Sequence, residues 1–166
     1  MVIDTSKMTP INNIKPDNDP MGLYAFTKES TKYLSGHSWC LGIKAGFLSI
    51  GYEGILAVFY YMIEPISAKV DSNLWVIVGD IPPAYLVVDI SPNGACALKN
   101  YVIEMRKWVH AAKNKLPLDN IISVNVEPSL EYAEMLENRL EFIEERILTR
   151  HKKMLKGMYI KLRNKL

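Results

Sequence analysis

Residues 73–88, NLWVIVGDIPPAYLVV, decide the fold, because they hold two apolar runs separated by a short loop. The runs 73–78 and 84–88 are rich in β-branched and aromatic residues, which favour strands. Two adjacent prolines in the loop 79–83 cannot continue a hydrogen-bonded ladder, so they mark a connection. The loop is too short for a crossover helix, and the segment therefore predicts an antiparallel pair.

Three more strand-like runs lie upstream, at residues 39–45, 47–52 and 55–63. The last run contains no charged residue, which predicts a central strand that is buried on both faces or lies under a helix. Five runs without helices between them favour an antiparallel meander over a doubly wound parallel sheet. We therefore expect an α+β fold with an antiparallel sheet of four or five strands.

Three helices are predicted around this sheet. Asp19 followed by Pro20 predicts the start of a helix over 20–35, and apolar spacings of three and four residues predict a second over 93–115. Ser129 predicts the cap of a third, long C-terminal helix. We expect 93–115 and 129–148 to cover the sheet, with 20–35 at an edge and a short strand near 121–126. The predicted units are a flexible segment (1–18), one α+β domain (19–148) and a basic amphipathic extension (149–166).

The charge is distributed unevenly along the chain. Residues 150–166 contain seven Lys and Arg and no Asp or Glu, which leaves residues 1–149 with a net charge of −5. A basic amphipathic segment predicts contact with a polyanion such as nucleic acid or an acidic surface. The alternative is that its apolar side packs on its own domain or on a second subunit. The predicted anion-binding residues are Arg150, Lys152, Lys153, Lys156, Lys161, Arg163 and Lys165.

An apolar stripe along the C-terminal helix predicts a homo-oligomer. The stripe includes Leu136, Leu140, Ile143 and Ile147 and continues to Met158. One helix over 129–165 would be about 55 Å long, which is more than a domain of this size can cover. We therefore expect a helix-mediated homodimer.

Catalytic signatures are missing from the sequence. It contains no phosphate-binding glycine loop, no H-E-x-x-H and no G-x-S-x-G. Asp80 and Tyr85, in or beside the loop 79–83, are the candidate residues for a small enzyme of unknown reaction, although Asp is also a favoured turn residue. His37 and Cys40 form one close-spaced pair, but the second pair typical of a zinc site is absent, so neither metal nor cofactor is expected.

Two further features concern the compartment. Residues 45–63 are mostly apolar, but Glu53 and three glycines disfavour a membrane span. The two cysteines, Cys40 and Cys96, lie in apolar surroundings, which fits a reduced, cytoplasmic protein. The sequence thus predicts a binding or assembly protein more than an enzyme, and the enzyme with a site near residues 79–83 is the alternative.

Overall fold

A computed structural model describes residues 1–156 of the chain. Five strands form one antiparallel sheet in which each strand pairs with the next along the chain. This confirms the predicted α+β fold with an antiparallel meander. The strands are β1 (Thr9–Pro10), β2 (Cys40–Tyr52), β3 (Leu56–Pro65), β4 (Asn73–Gly79) and β5 (Ala84–Val87).

β2 is one 13-residue strand, although the sequence predicted two runs interrupted at Gly46. Gly46 continues the ladder and pairs with Tyr61 of β3. A Cβ at this position would lie 2.5 Å from Cε1 of Tyr61 and 2.8 Å from Cδ1 of Ile11. The glycine therefore permits a close approach of two side chains and does not end the strand. Three register shifts along the β2–β3 pair absorb the local irregularity.

β3 occupies the middle of the sheet and is covered on both faces. Phe59 and Tyr61 belong to the apolar cluster on one face, and Val58 and Tyr60 belong to the cluster on the other. This two-sided burial explains why the run carries no charge. No helix within residues 1–156 is long and apolar enough to cross a membrane.

One face of the sheet is covered by α1 (Tyr24–Ser35), which was expected at an edge. Leu34 is buried in the cluster on this face, and the Ser30 hydroxyl lies 2.6 Å from the Tyr61 hydroxyl. The helix begins four residues later than predicted. The Asp19 carboxylate accepts hydrogen bonds from the backbone N–H groups of Leu23 at 2.7 Å and Tyr24 at 2.9 Å, so it caps the helix from a preceding turn.

The other face is covered by α2 (Gly94–Lys113) and α3 (Leu130–Phe142). Ser129 caps α3 as predicted, because its side chain accepts a hydrogen bond from the Tyr132 N–H at 3.2 Å. Glu144, just after α3, pairs with Lys99 at 2.7 Å and with Arg106 at 2.6 Å, and so ties the two helices together. The predicted strand at 121–126 is wrong, since these residues lie in the connection between α2 and α3.

The C-terminal helix continues irregularly beyond α3. A π turn spans Ile143–Ile147, a 3-10 turn spans Leu148–His151, and residues 152–156 are helical. Leu140, Ile143 and Ile147 of the predicted seam are at most 2% exposed within their own domain. The prediction that the domain is too small to cover this stripe is therefore wrong for the described residues of the stripe. The irregular turns keep these residues on the core. Met158 lies outside the described residues.

Residues 1–18 were expected to be flexible, yet they make defined contacts with the domain. Ile3 and Ile14 are buried, and Thr9 and Pro10 pair with Leu48 and Phe47 of β2. The few apolar residues of this polar segment thus anchor it along the outer edge of β2.

Candidate functional site

The loop 79–83 lies between two grooves of about 290 and 440 Å³. Asp80 in this loop is an exposed residue, and its Oδ2 lies 3.1 Å from Nη2 of Arg139 on α3. Its side chain is 71% exposed, so water screens the pair and the carboxylate is well hydrated. The contact holds the loop against α3, which suits a structural connection.

Asp80 and Tyr85, the two candidate catalytic residues, lie in different places. Tyr85 lines a groove along β5, whereas Asp80 lines the two grooves beside α3. None of the five grooves of about 290 to 660 Å³ described within residues 1–156 is lined by both side chains. Within that part of the chain, no three His, Cys, Asp or Glu side chains are placed to hold one metal ion.

The first part of the basic segment is attached to the domain by polar contacts. The Tyr52 hydroxyl on β2 lies 3.0 Å from Nε2 of His151, and the Asn93 side chain donates to the Met154 carbonyl at 2.9 Å. The Arg150 guanidinium lies 5.8 Å from the centre of the Tyr52 ring. Burial, and then the neighbouring Arg150 cation, lower the pKa of His151, which favours the neutral ring beside Tyr52.

The apolar and basic residues of this segment are separated in space. Met154 and Leu155 pack against the core cluster that includes the buried residues of α2, whereas the four basic side chains from residues 150 to 156 are exposed. The described cations are therefore presented to solvent on a segment whose other side is held in place. These cations are Arg150, Lys152, Lys153 and Lys156, and the other predicted positions, Lys161, Arg163 and Lys165, lie outside the described residues.

The sequence reasoning missed a groove of about 660 Å³ that runs along β5. All four β5 residues line it, together with side chains from the end of α1, from α2 and from residues 122–125. Tyr85 and Val87 are 39% and 38% exposed, so this edge of the sheet has an accessible apolar surface. The only sequence signal was the short, apolar character of β5, which does not reveal the elements that flank it.

Three residues that line the groove, Tyr33, His37 and Tyr85, belong to an aromatic cluster that also includes Trp39. The ring of His37 lies 4.9 Å from that of Tyr33, 4.7 Å from that of Trp39 and 5.4 Å from that of Tyr85. Nδ1 of His37 lies 2.9 Å from the Tyr33 carbonyl, so in the neutral ring Nδ1 is the donor and Nε2 stays an acceptor. Burial raises the pKa of Tyr33 to about 12, the nearby Tyr85 hydroxyl adds to this, and the Tyr85 backbone N–H opposes it.

Comparisons with protein-family models, with curated proteins and with solved structures find no match to this chain. Its function is therefore inferred from the geometry of the basic segment and of the grooves.

Proposed function

We propose that the protein is a binding and assembly protein that contacts a polyanion through its basic C-terminal segment. The observation that carries this proposal is the exposure of four cations on a segment whose apolar side is held on the domain. The contacts of Tyr52 and Asn93 with this segment limit its motion before binding, which lowers the entropic cost of association.

The acidic body does not cancel this basic surface. Residues 1–149 carry −5 and residues 150–166 carry +7. Charges separated by more than a Debye length of about 8 Å at physiological salt interact weakly through water. Each phosphate neutralised on a duplex releases counterions, so binding through four cations alone would fall with a log–log salt slope of about −3.6.

We expect the triple variant Lys152→Gln, Lys153→Gln, Lys156→Gln to bind a labelled DNA duplex at least about tenfold more weakly than the native chain at low salt. The three lysines are exposed, so their neutralisation leaves the packing of the segment unchanged. Fluorescence anisotropy at two salt concentrations measures both the affinity and its salt slope. Single-stranded RNA and anionic vesicles serve as further probes, because the proposed contact does not depend on base sequence.

The matched control is Lys7→Gln, Lys44→Gln, Lys69→Gln, which removes three exposed lysines elsewhere and changes the net charge equally. We expect this control to keep most of the binding and the native salt slope. Equal losses in both triple variants would show that only the net charge matters. No binding by the native chain at low salt would contradict the proposal.

We also propose that the protein assembles as a homodimer through the outer side of α3. Tyr132, Met135 and Phe142 lie at helical spacing on that side and are 46%, 42% and 44% exposed. They flank the Arg139–Asp80 pair, and the grooves of about 290 and 440 Å³ lie beside them. A two-fold arrangement of two such helices would bury large apolar side chains around a polar centre.

We expect Phe142→Asp to shift the protein to the monomer, because a new charge within this surface would lose its hydration on dimerisation. Light scattering over a range of concentrations measures the mass. Ile103→Asp is the control, since Ile103 is a similarly exposed residue on α2. A native chain that stays monomeric at all concentrations, or equal dissociation by both variants, would contradict a dimer through α3.

The alternative of a small enzyme at residues 79–83 has less support. Asp80 is mostly exposed and is paired with Arg139, and Tyr85 lines a separate groove. A buried and unpaired carboxylate would be a stronger sign of acid–base chemistry.

A further inference from the structure

The groove along β5 contains a hydrogen-bond acceptor that the protein itself does not use. Asn100 of α2 lines the groove and is only 6% exposed. Its Nδ2 donates to the Ile90 carbonyl at 3.3 Å and to the Ser91 hydroxyl at 2.8 Å. Because a carbonyl oxygen can only accept, the contact with Ile90 fixes the orientation of the amide. The Asn100 side chain therefore keeps its oxygen, Oδ1, as an unused acceptor.

This oxygen is accessible from the groove. Within residues 1–156, no buried side-chain nitrogen or oxygen lacks a hydrogen-bond partner. Oδ1 of Asn100 has no such partner among these residues, so it must reach solvent. Since the rest of Asn100 is buried and the residue lines the groove, we infer that Oδ1 opens into the groove. A nearly buried acceptor without a partner favours a ligand that supplies a donor.

A carboxylate lies one helical turn from this acceptor. Glu104 also lines the groove, and residues four apart on a helix are neighbours on one face, with about 5–6 Å between their Cβ atoms. The Glu104 side chain is 32% exposed, and its Oε1 lies 2.6 Å from Nζ of Lys107. This ion pair is weak, because water screens it and two long side chains must be ordered to form it. Lys107 therefore competes only weakly with a ligand for the carboxylate.

The rest of the groove supplies apolar surface and no strong cation. None of the described residues that line it is a Lys or an Arg. The exposed parts of Tyr85 and Val87 provide an aromatic and an aliphatic surface. The volume of about 660 Å³ lies within the range of about 300–1,000 Å³ that is typical of ligand pockets. The groove thus combines a carboxylate and an unused acceptor with an apolar wall.

We propose that this groove binds a small organic cation, a primary amine or a guanidine attached to an apolar body. The cation would donate to Oδ1 of Asn100 and to the Glu104 carboxylate, through charge-assisted hydrogen bonds. An ammonium has three donors and no acceptor, so one ammonium can satisfy both groups. The apolar body would lie on Tyr85 and Val87, and the Tyr85 ring would attract a cation near its face.

Three probes of nearly equal size test the preference for charge. They are phenethylamine, a cation, phenethyl alcohol, which is neutral, and phenylacetate, an anion. We expect phenethylamine to bind the full-length protein at least about tenfold more tightly than the alcohol, and phenylacetate to bind least tightly. Titrations followed by proton–nitrogen NMR correlation spectra measure each Kd. They also locate the probe, which should shift the backbone amide signals of Tyr85, Asn100 and Glu104.

A pair of variants tests the role of the carboxylate. Glu104→Gln should weaken phenethylamine binding by about tenfold or more and leave binding of the alcohol unchanged. Lys107→Gln is the matched control, because it removes the same ion pair but keeps the carboxylate. We expect Lys107→Gln to bind phenethylamine at least as tightly as the native chain, since the lysine no longer competes for Glu104.

Several results would overturn the proposal. Equal affinities for the three probes would show that the groove does not recognise charge, and equal losses in Glu104→Gln and Lys107→Gln would show that the ion pair only shapes the groove. Phenethylamine that shifts no signal, or only signals outside the groove, would also contradict it. Clearly tighter binding of an acetylated phenylalanyl-lysine amide than of phenethylamine would assign the groove to a peptide instead. The outcome is independent of polyanion binding, because residues 150–156 are unchanged in both variants.

Discussion

Replacement of Gly79 by alanine should lower the free energy of unfolding by about 2–5 kcal/mol. Gly79 has φ +139°, a conformation that side chains with a Cβ rarely adopt. An added Cβ would also lie 2.6 Å from the Cα of Leu56 on the neighbouring strand. Because this neighbour is a backbone atom of the central strand β3, no change of rotamer relieves the clash. The expected loss is a large part of the about 5–15 kcal/mol that stabilises a typical domain.

Gly54→Ala is the matched control for this prediction. Gly54 also has a positive φ, +69°, but an added Cβ there would have no atom within 4 Å. It should cost only about 1–2 kcal/mol, from the backbone conformation alone. Urea denaturation followed by circular dichroism measures both variants. Equal losses would show that the contact with Leu56 contributes nothing.

Replacement of Trp75 by alanine should cost about 3–5 kcal/mol, the range typical of large aromatic residues in a core. Trp75 is fully buried on β4, and its indole Nε1 donates to the Ser91 carbonyl at 2.8 Å. The substitution would leave a cavity between the sheet and α2 and would remove the donor to Ser91, itself a fully buried residue. Both effects act on the segment that leads from β5 into α2.

Trp75→Phe separates these two effects. It keeps most of the aromatic volume but removes the indole donor, so the main cost is an unsatisfied buried carbonyl, about 1–3 kcal/mol. The same denaturation experiment gives the free energy of unfolding for both variants. A phenylalanine variant as unstable as the alanine variant would mean that the hydrogen bond, and not the packing, accounts for the effect.

The basic segment shows which features of a site can be predicted from local sequence patterns and which cannot. The positions of its charges were visible in the sequence, and Arg150, Lys152, Lys153 and Lys156 are exposed in the structure. The contacts that hold the segment were not predicted. They join His151 to Tyr52 and Met154 to Asn93, which are 99 and 61 residues apart in the chain. No pattern within a helix or strand carries information about partners that distant.

The prediction that the domain could not cover the apolar stripe of the C-terminal helix was wrong for a similar reason. Spacing alone identified Leu136, Leu140, Ile143 and Ile147 as one apolar face. It could not tell whether their own sheet or a second chain covers them. The π and 3-10 turns after α3 keep the face on the core, and they arise from packing that helix periodicity does not encode.

The sequence by itself determined the class of fold, because every signal for it depends on near neighbours in the chain. These signals are the alternation of apolar and polar residues in the strands, the uncharged run in β3, the prolines at 82 and 83, and the Ser129 cap. Only the tertiary structure decided that α1 covers a face of the sheet, that Asp80 pairs with Arg139, and that a groove runs along β5. The groove is built from α1, β5, α2 and residues 122–125. The shape of the groove depends on how these elements, which are distant in the sequence, pack together. Such packing leaves no periodic pattern in the sequence of any single element.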